Sequence, residues 1–470
     1  MYKQLAEDLA DQNRILSLTK ERAMAYLDQI NEGAVSVSAS KPGSFAGLPE
    51  DGVGAIQALI TFHEQHRDKI VASSGPRYWG YVVGGTTPAA IAGDWLTSAF
   101  DQNPQGTNGG GDISAMIEQQ AIKWLLELFG LPQTFKGGFV TGATMSNFTC
   151  LAVARQWAGK TNNNDIAREG IKTEIKILTA TPHSSAIKSL SMLGLGSNNI
   201  ITVNTAEGNR EAMDITDLEQ KIRVNSDFPI IIISSGGTVN TVDFDDMQGI
   251  AQLQKKYGFY WHIDAAFGAF AACSENTAHL INGWQYADSI TIDCHKWLNV
   301  PYDSAIYLVK ETHANLQIQT FQNSNAPYLG DPLAEFNYLN AGPENSRRLR
   351  ALPAWFSLLA YGKNGYKWIV ENNIRLANEF ASELERKTDF ILASPVRLNV
   401  VCFTLADQAT AKEILTGTFM RLNESGKVFM TLTKYKEMFC LRAAFVNWRT
   451  DTDDIQIAIN ELVKASVKVN

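Results

Sequence analysis

The chain has 470 residues, of which 45% are hydrophobic and 19% are charged, and its formal net charge is -8. This composition is typical of a folded globular protein with about two to four domains, and it excludes an intrinsically disordered chain. The acidic balance disfavours nucleic acid as a partner, because a phosphate backbone binds basic surfaces. No apolar run approaches the roughly 20 residues that a membrane-spanning helix needs.

The cysteines and the first residues of the chain predict its compartment. The five cysteines are widely spaced and include no CxxC pair, so neither a disulfide framework nor a structural zinc site is expected. The histidines are scattered without ligand spacing, and we predict no metal. The N-terminus lacks the basic and apolar segments of a secretory signal. We therefore expect a cytoplasmic protein.

The N-terminal segment is predicted to be helical. Apolar residues from Leu5 to Ile30 recur at the spacing of one face of an amphipathic helix. The Ser-, Gly- and Pro-rich stretch at 36–54 predicts a linker or an arm. We predict a helical arm over residues 1–77, whose apolar face needs a partner surface.

Residues 78–350 alternate short apolar runs with helical patterns. Parallel strands need crossovers long enough to hold a helix, which predicts a large α/β domain with a mostly parallel sheet. After about Arg350, helices followed by strand-like runs near 400–405 and 439–446 predict a small α+β domain over residues 351–470. The seven strand-like runs of the large domain lie at 139–140, 175–178, 200–203, 230–233, 260–263, 289–292 and 306–309.

An aspartate and a lysine follow two of these runs. Asp264 ends the run Trp261-His262-Ile263-Asp264, and Lys296 lies in Asp293-Cys294-His295-Lys296-Trp297. Ligands collect at the carboxyl ends of strands in open α/β sheets. Pyridoxal phosphate (PLP) needs a lysine amine for its covalent attachment and a carboxylate for its ring nitrogen. The pair predicts this cofactor, although an interior ion pair or two unrelated surface residues would have the same spacing.

Two further segments place polar groups at the same predicted edge. The small-residue turn at 137–147 leads from a strand into a helix, whose first backbone amides are able to hold a phosphate group. His183 follows the run at 175–178, so its ring could stack on a flat cofactor. Taken alone, the turn is more often an ordinary turn, and a lone histidine is more often a helix cap.

The run at 230–233 is followed by Thr238, Asp243 and Asp245. These residues supply a hydroxyl and two carboxylates at another strand end, although a turn with an N-cap aspartate would contain the same residue types. The ordered series of Gly turn, His, Thr, Asp and Lys at five strand ends favours one cofactor site over five coincidences.

From about Tyr78 to Arg449 this series resembles the group II PLP-dependent decarboxylases, the family of aromatic-L-amino-acid, glutamate and histidine decarboxylases. The resemblance implies the aspartate-aminotransferase-like fold, fold type I. It implies that Lys296 binds PLP covalently, that Asp264 contacts the ring nitrogen with Asp245 assisting, and that His183 stacks on the ring. The remaining implied cofactor contacts are Ala266 beside the ring, Thr238 near the cofactor, and Ala143, Thr144, Asp293 and His295 around the phosphate.

The same resemblance implies a homodimer. Ser346, within Ser346-Arg347-Arg348, matches a segment that reaches the neighbouring subunit's phosphate, and the N-terminal helix would pack across the partner. The family's proton donor is a tyrosine on a loop after the lysine strand. Tyr328 matches that position, with Tyr338 as the other tyrosine of the stretch 321–344. A surface-packing aromatic is the alternative for Tyr328.

The implied reaction is removal of the α-carboxylate of an L-amino acid to give an amine and CO2. Tyr78, Trp79, Tyr81 and Val82 align with pocket positions and favour an aromatic side chain, although core packing would use the same residues. The stretch 110–118 departs from the family pattern in a segment that shapes the substrate pocket. The alternatives are a PLP-dependent aminotransferase, a carbon-carbon lyase, or a non-catalytic protein on the same scaffold.

Overall fold

The computed structural model describes residues 1–37, 47–106, 112–322 and 337–466. Its helices are α1 (Lys3–Ala10), α2 (Gln12–Asp28), α3 (Ala55–His66), α4 (Pro88–Phe100), α5 (Ser114–Leu128), α6 (Ala143–Thr161), α7 (Ile166–Glu169), α8 (Ser184–Met192), α9 (Ile215–Val224), α10 (Met247–Tyr257), α11 (Cys294–Trp297), α12 (Ala314–Phe321), α13 (Ala351–Lys387), α14 (Gln408–Ser425) and α15 (Thr452–Ser466). Its strands are β1 (Phe135–Val140), β2 (Lys176–Thr179), β3 (Ile200–Thr202), β4 (Ile230–Ser235), β5 (Tyr260–Asp264), β6 (Ser289–Asp293), β7 (Ala305–Lys310), β8 (Phe390–Leu392), β9 (Val400–Leu405), β10 (Thr431–Tyr435) and β11 (Met438–Ala444).

The large sheet has seven strands in the order β1-β7-β6-β5-β4-β2-β3. Strands β2 to β6 pair in parallel, whereas β7 is antiparallel to both of its neighbours. The prediction of a mostly parallel sheet built from the seven apolar runs is confirmed. All five parallel strands end at the same edge, which is where the predicted site residues follow them.

Helices cover both faces of this sheet. Ile231 and Tyr260 pack on one face with residues of α6 and α8, whereas Ile232 and Trp261 point into the core on the other face. The alternation follows from the two-residue period of a strand. Because both faces are buried, β4 and β5 read as nearly continuous apolar runs.

The C-terminal part contains a four-stranded antiparallel sheet in the order β10-β11-β9-β8. The predicted runs correspond to β9 and β11, while the short outer strands β8 and β10 were not predicted. Helix α13 spans both cores: Leu358 packs with the large one and Phe380 with the small one. A non-helical residue, Gly362 (φ 55°), separates its two halves. The predicted domain boundary at 350/351 stays a prediction, since this helix is shared.

The long helix predicted from the apolar residues between Leu5 and Ile30 is two helices, because α1 ends at Ala10 and α2 begins at Gln12, and α3 follows further along the arm. None of these three helices contains a buried residue. Of the predicted linker at 36–54, residues 38–46 lie outside the described part. In the described ranges, no helix has the length and apolarity that crossing a bilayer requires.

Candidate active site

Three neighbouring strands bring the candidate residues to one edge. The register pairs Ser235 with Asp264, and Asp264 with Thr291, so the ends of β4, β5 and β6 lie side by side. Helix α6 begins against the same edge, because a Cβ built on Gly142 would lie 3.4 Å from His295 Cε1. The predicted turn, aspartate and lysine segments therefore meet in space.

Asp264 is 8% exposed, and backbone and side-chain donors hold its carboxylate. Asn147 Nδ2 donates to Oδ2 at 2.9 Å, and the Ala266 amide donates to Oδ1 at 3.2 Å. The Asn147 amide also donates to Ser185 Oγ at 3.1 Å. Each carboxylate oxygen can accept a further hydrogen bond, so Asp264 is oriented and still able to bind a ligand's N–H group.

A buried histidine orients Asn147 in turn. His262 Nε2 lies 2.8 Å from Asn147 Oδ1, and His262 Nδ1 lies 2.9 Å from Ser289 Oγ. Because the amide oxygen only accepts, Nε2 carries the proton and Nδ1 accepts from the serine hydroxyl. Burial lowers the pKa of His262 to about 4. The ring is therefore neutral at pH 7 and completes a chain of hydrogen bonds to Asp264.

His183 caps the N-terminus of α8, as the structural alternative predicted. The Ser185 amide donates to His183 Nδ1 at 3.3 Å, and Ser185 Oγ lies 2.7 Å from the same nitrogen. Burial lowers the pKa of His183, and the nearby charge of Asp264 opposes this effect. The charges of Lys296 and Asp293 also act on the ring, so the structure brings His183 to the same edge. Capping uses Nδ1 only and leaves the ring face for a second contact.

Lys296 and Asp293 form an ion pair at the end of β6. The Nζ–Oδ2 distance is 3.0 Å, and the side chains are 15% and 3% exposed. Lys296 Nζ also lies 5.6 Å from the ring centroid of Phe267. The segment before α4 crosses directly over this lysine, because a Cβ built on Gly84 would lie 1.7 Å from the Lys296 carbonyl oxygen.

His295 precedes Lys296 and is buried beside Asp293. Its Nδ1 accepts from the Ser304 amide at 3.3 Å, and its Nε2 lies 3.7 Å from Asp293 Oδ1. Tyr302 stacks on the imidazole with ring centroids 4.2 Å apart. Burial lowers the pKa of His295, so the ring is neutral at pH 7, with its proton on Nε2, facing Asp293.

The start of α6 has free backbone donors. Among the residues that the structure describes, no side chain caps this N-terminus at Gly142, so the amides of Ala143 and Thr144 are available to a ligand. The Thr144 carbonyl accepts from Ser189 Oγ at 3.1 Å, and Ser146 Oγ bonds Thr291 Oγ1 at 2.9 Å. These contacts fix the first turn of α6 on α8 and on the end of β6.

Thr238 and Asp245 have their polar atoms engaged by the protein. Thr238 Oγ1 donates to Glu211 Oε2 at 2.6 Å. The Asp245 oxygens accept from the Met213 and Ser235 amides at 2.6 and 2.7 Å. Burial raises the pKa of Asp245 to about 6. Both residues hold the loop after β4, and their predicted roles beside the cofactor stay predictions.

Ser346 and Tyr338 make none of the contacts described above for the strand-end residues of the described chain. Ser346 is exposed, whereas Arg347 is buried and bonds Glu118 Oε1 at 2.6 Å in its own chain. Tyr338 is buried, and the Cζ atom of Arg347 lies 4.5 Å from the centroid of its ring. Tyr328 lies outside the described residues, as do Gly110 and Gly111 of the departing stretch.

Sequence reasoning missed Asn147, His262 and Tyr302. His262 precedes Asp264 by two residues, so the strand period places it on the same face. Asn147 lies one turn into the helix after the Gly turn, and Tyr302 lies six residues after Lys296. These spacings were readable, but the contacts between the residues depend on elements that are far apart in the chain.

The residues present fit PLP. An uncapped 19-residue helix provides amides for a phosphate, a carboxylate held by two N–H donors can bind a ring N–H, and a lysine amine lies beside them. His183 presents a ring at the same edge. In the described part of the chain, no group of three or more His, Cys, Asp or Glu side chains could hold a metal ion.

Comparisons with known proteins agree with this geometry. The family model "Pyridoxal-dependent decarboxylase conserved domain" matches residues 56–406. The chain is 28% identical to an aromatic-L-amino-acid decarboxylase of Bacillus atrophaeus, covering 87% of this chain and 85% of the relative. It is 24% identical to an L-tyrosine/L-DOPA decarboxylase of Lophophora williamsii over 87% of this chain and 85% of the relative.

A solved structure of Oryza sativa TDC with PLP and tryptamine has the same fold. Its TM-score is 0.88 at 19% identity, with 97% of this chain and 98% of that chain covered. Together with the family match, this confirms the predicted fold type I and the predicted cofactor. The chain belongs to the pyridoxal-dependent decarboxylase family and is a PLP-dependent carboxy-lyase that acts on an amino acid.

Proposed function

We propose that the substrate is an aromatic L-amino acid, which loses its α-carboxylate to give the amine and CO2. The observation that carries the proposal is a group of tyrosines, of which Tyr302 stacks on His295, the residue next to Lys296. The Tyr302 ring contacts His295 and is otherwise open to a ligand, and partial desolvation with the charges of Asp293 and Tyr78 raises its pKa to about 12. Tyr78 stacks on Phe429 at 4.6 Å.

Tyr81 completes this surface. It is 63% exposed, and it has a φ of 56° in a segment that continues to Gly84, over the lysine. A large apolar residue in a left-handed conformation is uncommon and marks functional segments. Aromatic rings bind other rings through stacked or edge contacts. Relatives named for aromatic amino acids, tyrosine and DOPA support the same substrate class.

In the proposed mechanism, the chemistry that PLP supplies when bound is an electron-accepting ring for the electrons of the broken bond. Asp264 would hold a proton at the ring nitrogen, because Asn147 and the Ala266 amide keep its carboxylate oriented. Lys296 anchors the cofactor by its amine. His183 would pack on the cofactor ring, and Ala266 would lie beside it. Tyr328 donates the proton that replaces the lost carboxylate.

The remaining predicted cofactor residues act at a distance from the reacting bond. The amides of Ala143 and Thr144 bind the phosphate together with His295 Nε2–H, and Ser346 approaches the phosphate in the neighbouring subunit. Thr238 and Asp245 keep the loop after β4 in place. Asp293 lies in this region too, and its contact is with the lysine.

We further propose a homodimer. Apolar side chains on the N-terminal segment are exposed without a covering element in the described part of this chain; they are Leu5, Leu9, Leu16, Val53 and Phe62. A second copy that covers them would bury apolar surface. Sedimentation equilibrium should give about twice the mass of one chain, and a fully active monomer would contradict the proposal. The predicted cytoplasmic location stays a prediction, which cell fractionation would test.

The substrate proposal is tested by a turnover screen. Purified protein with PLP is incubated with each of the twenty L-amino acids and with L-DOPA, and CO2 and amine are measured. Aromatic substrates should give the highest kcat/KM, and Lys296→Ala should give none. Tyr81→Ser should raise KM for aromatic substrates, whereas Tyr286→Ser, which changes an exposed tyrosine elsewhere, should not. Preference for aspartate or glutamate would overturn the aromatic assignment.

A further inference from the structure

Asp293 makes a contact that the family resemblance did not predict. The resemblance places it beside the phosphate, but its Oδ2 is 3.0 Å from Lys296 Nζ. An ionised carboxylate has no proton to donate, and two anions repel each other at close range. Asp293 is therefore poorly suited to bind a phosphate directly and well suited to face a cation.

The second oxygen of Asp293 supports the same conclusion. Oδ1 is buried and, among the described residues, has no hydrogen-bond partner. It lies 3.7 Å from His295 Nε2, and a Cβ built on Gly142 would lie 4.0 Å from it. His295 thus stands where its N–H could separate the carboxylate from an anion at the α6 turn. The carboxylate side chain is only 3% exposed, so its strongest compensation comes from Lys296.

We propose that Asp293 is a positioning residue that keeps a positive charge on the Lys296 nitrogen, in the free amine and in its linkage to PLP. The proposal rests on Lys296 as the attachment residue. An opposite charge within about 4–6 Å favours the charged form of a titrating group, commonly by about 1–3 pKa units. Burial alone favours the neutral form of an amine, and a carboxylate in contact with it acts against that effect.

When PLP is bound, its linkage to Lys296 would place this nitrogen beside Asp293, which contacts the free amine at 3.0 Å. Asp293 acts on that nitrogen through its charge and takes no part in bond making or bond breaking.

Other charged and titratable groups surround this pair and must be considered in any pH profile. His295 contacts Asp293 and stacks on Tyr302, and Cys294 lies between Asp293 and His295 in the chain. The groups whose charges reach His183 or His295 at this edge are Asp264, Asp303 and Arg442, together with the ion pair itself. Asp293 is the carboxylate in direct contact with Nζ in the described structure.

The test is a spectroscopic pH titration of the holoenzyme. The visible absorbance of the bound cofactor reports loss of the proton from the Lys296 linkage. Asp293→Asn keeps the shape and removes the charge, and its titration midpoint should fall by at least about one pH unit. Asp293→Glu, which restores the charge, should bring the midpoint back towards the wild-type value. An unchanged midpoint in Asp293→Asn would overturn the proposal.

Asp288→Asn is the matched control. Asp288 is a buried carboxylate just before the opposite end of β6 and pairs with His313 at 2.7 Å. The change has the same chemistry and a comparable effect on packing, so it should lower thermal stability and leave the spectroscopic midpoint unchanged. A midpoint that moves equally in both variants would show a general structural effect and count against the proposal.

A measurement on the wild-type chain covers the case in which Asp293→Asn does not fold. Competitive labelling of the cofactor-free full chain with acetic anhydride, read by mass spectrometry, gives the pH midpoint of each lysine. Lys296 should titrate no lower than exposed lysines if Asp293 holds its charge. A clearly lower midpoint, as expected for a buried amine without a counter-ion, would refute the proposal. Borohydride reduction and peptide mapping test separately whether Lys296 is the attachment residue.

Discussion

Asn147 Nδ2 lies 2.9 Å from Asp264 Oδ2, although the two residues are 117 positions apart in the chain. The contact joins the first turn of α6 to the end of β5. Because α6 also supplies the free amides at its N-terminus, one helix orients the two groups proposed to hold opposite ends of the cofactor. Helix α6 would therefore set the distance between the proposed phosphate and ring-nitrogen ends of the site.

Asn147→Ala should weaken cofactor binding. It removes one donor from Asp264 and leaves the Nε2–H of His262 without its acceptor, at a cost of about 1–3 kcal/mol for a buried polar group. PLP affinity, measured by quenching of protein fluorescence, should fall about tenfold or more. Asn378→Ala, which removes an exposed asparagine of α13, is the control. Equal affinity in both variants would contradict the role of Asn147.

His183 caps helix α8 and is proposed to contact the PLP ring. Two substitutions separate these two roles. His183→Ala loses both, so stability should fall by about 1 kcal/mol and turnover should drop. His183→Asn retains a good N-cap, so its unfolding free energy should approach that of wild type while turnover stays low. Urea unfolding and kcat/KM are the two measurements. Wild-type turnover in the asparagine variant would mean that the residue is only a cap.

His262 should make stability depend on pH. Its pKa is lowered to about 4 by burial in the folded chain, whereas an unfolded histidine titrates near 6.5. Between these two pKa values the unfolded state binds more protons than the folded state. The contribution of His262 to the free energy of unfolding is therefore present above about pH 6.5 and is lost as the pH falls to about 4. The expected loss is about 3 kcal/mol.

The check is urea unfolding of wild type and His262→Gln between about pH 4 and 7.5. Subtracting the free energy of unfolding of the variant from that of wild type separates the effect of His262 from the effects of other titrating groups, such as Asp245. The free energy of unfolding of wild type should fall relative to that of the variant as the pH falls. If the two free energies of unfolding differed by the same amount at every pH, the prediction of a buried neutral histidine would be wrong.

The ion pair between Arg347 and Glu118 should matter for stability. Its side chains are 5% and 0% exposed, and Glu118 Oε1 also accepts from the Phe139 amide at 2.7 Å. Arg347→Met leaves a buried carboxylate without its cation and should cost about 3–5 kcal/mol. The double change with Glu118→Gln should recover part of this loss. Arg348→Met, at a partly exposed pair with Asp94, should cost at most about 1 kcal/mol.

Tyr328→Phe tests the proposed proton donor. Loss of the phenol should slow amine formation or divert substrate to side products, because the proton has no other assigned source. Tyr338→Phe is the comparison, since that tyrosine is buried beneath Arg347. Product analysis by mass spectrometry with rates of CO2 and amine release provides the measurement. Unchanged turnover in Tyr328→Phe would refute the assignment.

Local patterns were sufficient for the strands of the large sheet. Each of its seven strands coincides with a predicted apolar run, because burial on both faces leaves a continuous apolar signature. The short edge strands β8 and β10 escaped prediction, since half-exposed strands of three to five residues lack that signature. The break between α1 and α2 also escaped, because helical periodicity continues across it.

The sequence by itself determined the chemistry of the chain: the order of Gly turn, His183, Asp264 and Lys296 after successive strands predicts the cofactor, because parallel strands must end at one edge. Only the tertiary structure decided which atoms meet. Asn147 orients Asp264, Asp293 faces Lys296, and Thr238 bonds Glu211. These contacts depend on how helices pack on strand ends, and spacing along the chain does not contain the distances between side chains that are far apart in sequence.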